Sequence, residues 1–303
     1  MNKRILLVGG SSFIATNLIE KFINESYQVV VYGRNKPQVE SHNLTYINGE
    51  LSDIETKLSQ LSTLNITDAI YLVNNIPVNA DIEDYNERII LNKAAIAFLF
   101  TLVKRVVYFS SGGRIYKSSL LPHKEIDELS PNCLYGKSKV ELEAYVAEYS
   151  ALINRDYLII RPSNPYGKHQ CLFSNQGLIA ILIGKIRSGR SIEVWGTGQE
   201  IRDYIYIDDF ANVFFKLFEI SNPPYKIFNI GSGQGVSTLH IIETVLELTG
   251  CTSAKQEFID IHRSLIPSNI LCIDRLNEVI GPYHLTPLSI GISAFIDSLG
   301  TNK

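Results

Sequence analysis

Through the first half of the chain, short apolar runs alternate with stretches of helical character, and this alternation leaves few architectures open. Residues 5–8 precede a helical stretch over 17–24; 29–32 and 45–48 follow; 69–73 precede 85–103; 106–109 precede 135–151; and 157–160 close the series. Apolar runs without polar alternation read as strands buried on both faces, and strands separated by helices pair in parallel through crossovers. The expected fold class is therefore α/β, a doubly wound parallel sheet over residues 1–165. After Pro162 the pattern changes to turn-rich segments (Ser163-Asn164-Pro165-Tyr166-Gly167, Trp195-Gly196-Thr197-Gly198, Asn229-Ile230-Gly231-Ser232-Gly233), with helices near 178–188 and 239–248. This reads as a smaller lobe over 166–303 that binds substrate, with return segments near 204–232 rejoining the sheet domain.

Composition narrows the partners. A chain of 303 residues, 45% hydrophobic and 19% charged, can bury a sizeable core. A net charge of -3 without a Lys/Arg-rich block excludes the electrostatic footprint of a nucleic-acid or anionic-membrane binder, so any anionic ligand must be held locally. Cys133, Cys171, Cys251 and Cys272 are widely separated and have no metal-ligand spacing with histidine, which reads as reduced, partly buried thiols of a cytoplasmic protein with no metal site. Met1-Asn2-Lys3-Arg4 before Ile5-Leu6-Leu7-Val8 has the start of a signal peptide, but Gly9-Gly10-Ser11-Ser12 ends the apolar run, which is better read as a first strand. No apolar run is long enough to span a bilayer.

The chemistry-bearing residues fall at two places. Tyr135-Gly136-Lys137-Ser138-Lys139 puts a phenol and an ammonium four residues apart, on one helix face. A lysine cation beside a tyrosine favours the phenolate, which makes the side chain usable as an acid/base near neutral pH. At the amino end, Gly9, Ser12, Phe13 and Ile14 occupy the turn from first strand to first helix, where a dinucleotide fold sets pyrophosphate on free N–H groups. A glycine pattern of the G-x-x-G-x-x-G kind keeps only Gly9 here, with Ser12 and Ala15 at the other places; Ser12 as a helix N-cap explains the same residues. After the second strand, Gly33-Arg34-Asn35-Lys36 has no acid to bind a ribose 2′-hydroxyl. Arg34 is then either the partner of a 2′-phosphate, pointing to NADP, or a solvated loop residue. Glu50 and Leu51 follow the third strand at a position suited to flanking an adenine, Val73 follows the fourth, and Asn92 is placed toward the nicotinamide.

These residues, with Tyr108-Phe109-Ser110-Ser111-Gly112-Gly113-Arg114-Ile115-Tyr116, Pro131 before Tyr135, Arg161-Pro162-Ser163-Asn164-Pro165-Tyr166-Gly167, the Trp195 to Asp209 segment and Phe228 to Gly233, recur in order along nearly the whole chain. Together they make it resemble an extended short-chain dehydrogenase/reductase of the nucleotide-sugar (NAD-dependent) epimerase/dehydratase family, UDP-glucose 4-epimerase-like, with a Rossmann domain. The resemblance implies that Tyr135 takes the proton of a sugar C4 hydroxyl, that Lys139 holds the nicotinamide ribose, and that a Ser or Thr assists. That hydroxyl is expected four residues before Tyr116, where this chain has Gly112; Ser111 is the nearest candidate. The cofactor implied is NAD. The partner implied is a nucleotide-diphosphate sugar gripped by Asn164, Arg202 and Arg263, although no Asp follows Arg263 before Pro267. Asp203, Asp208 and Asp209 read as turn and helix-cap acids. A homodimer is expected on the helices over 93–103 and 138–151, where Ile96, Leu99, Phe100, Val140, Leu142, Tyr145 and Val146 spread over more than one face. The expected activity is 4-epimerisation. Its alternatives are an NADPH-dependent 4-keto-sugar reductase, which would consume cofactor, and a silent Rossmann sensor or scaffold.

Overall fold

The structure, a computed structural model, describes residues 3–77, 80–252, 254–260 and 266–300. In chain order it begins β1 (Arg4–Val8), α1 (Phe13–Asn24), β2 (Gln28–Gly33), β3 (Leu44–Asn48), α2 (Ile54–Leu58), β4 (Asp68–Tyr71), α3 (Ile82–Leu102), β5 (Arg105–Phe109), α4 (Leu134–Leu152) and β6 (Asp156–Pro162). It continues β7 (Asn164–Tyr166), α5 (Leu178–Arg187), β8 (Ile192–Trp195), β9 (Ile201–Tyr206), α6 (Ile207–Phe218), β10 (Ile227–Ile230), β11 (Gly235–Ser237), α7 (Thr238–Thr249), β12 (Gln256–Ile259), β13 (Ser268–Asn269), α8 (Asp274–Ile280) and α9 (Leu288–Ser298).

Seven strands form one sheet in the order β10-β6-β5-β4-β1-β2-β3, and the pairs from β6 to β3 run parallel. The chain lays down β1, β2 and β3 toward one edge and then returns to set β4, β5 and β6 on the other side. The order therefore reverses between β1 and β4, the switch point at which doubly wound sheets hold ligands beyond their strand ends. Apolar residues make this possible: Ile5–Val8 of β1 and all five residues of β5 are buried, and α3 and α4 pack on the same core through Ile96, Leu99, Phe100, Leu142 and Val146. The seventh strand, β10, comes from residues whose asparagine and glycines read in sequence as a turn.

By contacts the chain divides into two compact units. The first is Met1–Lys117, Asp127–Pro162 and Phe218–Phe228; the second is Ser118–Ile126, Ser163–Leu217 and Asn229–Lys303. The boundary expected after residue 165 thus falls after Pro162, residues 118–126 group with the second unit, and of 204–232 only Phe218–Phe228 group with the first.

Within the second unit β9 is flanked by β11, β13 and β7. Asp203 on β9 is fully buried and accepts from Ser232 N–H (2.8 Å), Ser232 Oγ–H (2.7 Å), Gly233 N–H (3.1 Å) and Leu271 N–H (3.2 Å). It is therefore a buried hub rather than the turn acid expected, whereas Asp208 and Asp209 do lie in the first turn of α6. Asn229 is a second hub, donating from its backbone to Glu125 Oε1 (2.9 Å) and from its side chain to His123 O (2.9 Å) and Cys272 O (3.2 Å).

Candidate active site

The end of β5 and the start of α4 bring together the residues of the proton-transfer pattern. Beyond β5 the chain stays bonded to its neighbour, Ser110 N–H to Ile160 O and Gly112 N–H to Pro162 O, both at 2.8 Å, so Ser111 is held at the carboxyl end of the sheet. Helix α4 opens on Cys133, whose Sγ accepts from Gly136 N–H. Its first turn approaches the loop closely: a Cβ at Gly136 would stand 2.4 Å from Arg114 O and 2.9 Å from Pro131 Cβ. Glycine is required there by space, and the approach sets Tyr135 against Ser111, with which it shares a hydrogen bond.

Burial raises the Tyr135 phenol above its ordinary value; the Ser111 hydrogen bond and the Arg114 charge draw it down, and Cys133 pushes it up. Lys139 is buried one turn further along, its Nζ donating to Phe109 O (3.0 Å) and lying 5.6 Å from the Tyr135 ring centroid and 5.4 Å from that of Tyr108. Burial lowers the Lys139 ammonium to about 8, with Glu143 acting in the opposite sense. Ser111 and Arg114 thus act on the phenol in the same sense as the one expected of the nearby lysine charge, against the larger effect of burial. The desolvation of the pair also favours neutral lysine and protonated tyrosine.

The glycine turn lies at the switch point. Gly9 has φ +90°, and a Cβ there would meet Leu72 C and Val73 N at 3.0 Å, so only glycine lets β1 leave the sheet against the end of β4. Ser12 caps α1, its Oγ accepting from Ala15 N–H at 3.2 Å, which leaves the hydroxyl proton available to an acceptor beyond the helix. Phe13 and Ile14 form the first turn, where backbone N–H groups lack helical partners. Gly33 ends β2 beside this turn: an added Cβ would lie 3.8 Å from Gly10 N and 3.9 Å from Gly9 Cα. Arg34 is exposed, as is Glu50, while Leu51 and Val73 are half-buried. A tight turn that excludes Cβ atoms, opening onto a helix N-terminus, fits a dinucleotide pyrophosphate.

Asn92, expected to face the nicotinamide, lies on α3 within reach of the end of β4. It is buried, with Oδ1 accepting from Tyr71 Oη (2.7 Å) and Nδ2 donating to Asn75 Oδ1 (2.9 Å) and Arg88 O (2.6 Å), so its amide ties α3 to the end of β4. In the second unit Asn164 and Arg202 lie on the adjacent strands β7 and β9. Asn164 Nδ2 donates to Asp203 O (2.8 Å) and Arg202 Nη1 to Ile201 O (2.7 Å). Arg263 lies outside the described residues. Among those described, no group of three or more His, Cys, Asp or Glu is placed to hold a metal ion, and no helix is long and apolar enough to cross a membrane.

Two residues near the site are not anticipated from the sequence. Glu143 and Arg161 form a buried ion pair on the side of α4 that carries Lys139. A signal for them exists: Glu143 repeats the four-residue step from Tyr135 to Lys139, and Arg161 is a cation within the apolar run of β6.

The chain is similar to known proteins in sequence and in fold. The model of the NAD dependent epimerase/dehydratase family matches residues 5–231. The chain is 30% identical over 254 residues to the dTDP-4-dehydro-6-deoxyglucose reductase of Escherichia coli, covering 80% of each. Among solved structures it is similar to the UDP-glucose 4-epimerase of Thermotoga maritima crystallised with UDP-glucose, with TM-score 0.88, 22% identity and 98% of both chains covered. It is similar also to the Thermus thermophilus UDP-glucose 4-epimerase in complex with NAD, with TM-score 0.87, 21% identity, and 98% of this chain and 99% of that one covered.

Proposed function

The chain belongs to the NAD dependent epimerase/dehydratase family, and from that membership we propose that it is a nucleotide-sugar 4-epimerase. The observation that carries this reading is the grouping of Ser111, Tyr135 and Lys139 at the carboxyl end of β5. The nicotinamide, when bound, supplies a reversible hydride acceptor for sugar C4. Tyr135 takes the C4 hydroxyl proton as the carbonyl forms and returns it as the carbonyl is reduced, and Ser111 orients both the phenol and the sugar oxygen. Lys139 would hold the nicotinamide ribose. Gly9, Ser12, Phe13 and Ile14 would receive the pyrophosphate, Glu50 and Leu51 would flank the adenine, and Val73 and Asn92 would contact the cofactor further along, Asn92 on the nicotinamide side. Asn164, Arg202 and Arg263 are the proposed contacts to a nucleotide diphosphate, for which guanidinium groups offer paired donors. The setting proposed is a cytoplasmic homodimer in bacterial surface-polysaccharide sugar supply.

A second reading, an NADPH-dependent nucleotide-4-keto-sugar reductase, has its own support. Tyr135 is held protonated by burial, the state that donates to a keto oxygen, and position 33 carries no acid to repel a 2′-phosphate. The 30% identical relative from Escherichia coli is itself a reductase. Proton NMR of the protein with a panel of UDP- and dTDP-sugars, with and without added NADPH, separates the readings. Interconversion of C4 epimers without added cofactor supports the epimerase; product formed in proportion to NADPH consumed replaces it with the reductase; no turnover of any sugar leaves a binding or sensing protein.

A further inference from the structure

The proposed chemistry leaves unassigned a buried ion pair on the helix that carries Tyr135 and Lys139. Glu143 lies on α4 one turn beyond Lys139, and its Oε1 and Oε2 accept from Arg161 Nε (3.0 Å) and Nη2 (2.5 Å), the paired contacts of a bidentate guanidinium–carboxylate bridge. The side chains are only 3% and 6% exposed, Arg161 and Glu143 respectively. Arg161 Nη1 also donates to Tyr116 Oη (2.9 Å), and its guanidinium carbon lies 5.1 Å from the Tyr116 ring centroid. A buried ion pair gains little net stability over apolar side chains of the same volume, because desolvation offsets attraction. Stability alone is then a weak reason for this one.

Its neighbour supplies a better reason. The Lys139 ammonium lies against the Phe109 carbonyl and the Tyr108 ring from β5 and the Tyr135 ring from its own helix; Glu143, buried one helical turn on, acts on it electrostatically and is itself bound by Arg161, which also bonds Tyr116. Tyr71 on β4 stands behind Tyr108, their ring centroids 6.2 Å apart. Toward α3 the charges are already matched, Glu141 with Lys93 and with Tyr85 Oη. Glu143 is thus the carboxylate acting on Lys139 from within the core.

We propose that Glu143 and Arg161 are a positioning pair for Lys139: Arg161 fixes the Glu143 carboxylate, and that carboxylate keeps the Lys139 ammonium charged and directed at the Phe109 carbonyl. Burial brings the ammonium down to about 8, and Glu143 is the group that opposes the fall. Without it the ammonium would fall further toward the neutral amine. The proposal rests on the reading of Lys139 as the cation that holds the cofactor ribose, but the charge on Lys139 is measurable without cofactor or substrate.

The test uses full-length protein labelled with ¹³C- and ¹⁵N-lysine, the Lys139 signal being assigned by its loss in Lys139→Arg. Its ¹³Cε shift is followed through a pH titration of wild type, Glu143→Gln and Glu143→Asp. The expected result is a wild-type midpoint near 8, a fall of about one pH unit or more in Glu143→Gln, and a smaller fall in Glu143→Asp. Midpoints coincident with wild type in either folded variant overturn the proposal. Failure of both variants to fold assigns the pair to the fold alone and overturns it as well. Dinucleotide affinity against pH separates the underlying reading: if the Lys139 midpoint falls but affinity does not follow it, the positioning role stands and the ribose-holding role fails.

Discussion

Gly136 shows how little room the site leaves. Since its missing Cβ would stand 2.4 Å from Arg114 O, Gly136→Ala must displace either the Arg114 backbone or the first turn of α4, and Tyr135 moves with that turn. The expected result is a destabilisation of about 1–3 kcal/mol by thermal denaturation together with reduced turnover. Gly113→Ala is the control, because its added Cβ meets nothing within 4 Å, and both properties should be unchanged. Tyr135→Phe should keep fold and dinucleotide binding and lose turnover by roughly 100- to 10,000-fold, as removal of a general acid/base does. Near wild-type turnover would remove Tyr135 from the chemistry. At the cofactor end, an aspartate fits position 33 in ordinary contact and would place its charge beside the Gly9-Gly10 turn. Gly33→Asp and Arg34→Ala should each lower NADP affinity relative to NAD in a paired titration. An unchanged ratio in both would make Gly33 and Arg34 an ordinary loop, and the reductase reading would lose that support. That Tyr135 and Lys139 share a helix face and that Gly9 starts a strand-to-helix turn was legible from spacing read together with the ordered motifs around them. The opposing effect of burial on both groups was not, since spacing does not reveal how deeply they sit.

At the scale of elements, α4 carries more polar residues on its buried side than a packing helix needs: Ser138, Lys139, Glu143 and Ser150 beside Leu142 and Val146. Five of the residues expected to form a dimer face, Ile96, Leu99, Phe100, Leu142 and Val146, are buried within the first unit's own core, because α3 and α4 pack on each other over the sheet. A dimer on these helices must therefore use what remains, such as Ile90, 65% exposed, and the half-exposed Val140 and Tyr145. Ile90→Glu should shift sedimentation at micromolar concentration toward monomer; a wild-type protein already monomeric there removes the dimer. Strands β1 to β6 and helices α1, α3, α4, α5 and α7 were legible from periodicity, within a few residues at their ends. Strand β10 was anticipated only as part of a return near 204–232 to the sheet domain and not as a strand, because Asn229 interrupts a four-residue run whose pairing partner, β6, is distant in sequence. Helix α6 was hidden because it follows β9 with no turn between Tyr206 and Ile207. Asp203 read as a turn or cap acid for a related reason: its four donors come from segments far along the chain. Asp203→Asn should destabilise the protein by on the order of 3 kcal/mol, since an amide NH₂ then faces donors that Oδ2 now satisfies, Gly233 N–H and Leu271 N–H.

For the whole molecule, the buried ionisable groups shape stability against pH. The Lys139 ammonium falls from 10.5 to about 8 on folding, so between those values the folded chain binds fewer protons than the unfolded one. Its contribution to stability rises with pH across that window. Tyr27, Tyr32, Tyr71 and Tyr108 are raised from 10.0, chiefly by burial, and their contribution is lost as pH climbs beyond 10. Lys139→Met should therefore flatten the stability curve between about pH 8 and 10 and leave the alkaline fall in place; an identical slope would mean that Lys139 does not titrate in that range. The place of β10 in the sheet has a consequence for the protein's birth. On the ribosome β6 is finished at Pro162, yet the strand that covers its free side begins only at Ile227. At about 5–20 residues per second the nascent chain presents an open strand edge for roughly 3–13 seconds. Such an edge templates pairing with a neighbouring chain, so on a crowded polysome the speed of translating those intervening codons governs soluble yield, while the finished protein keeps no trace of the delay.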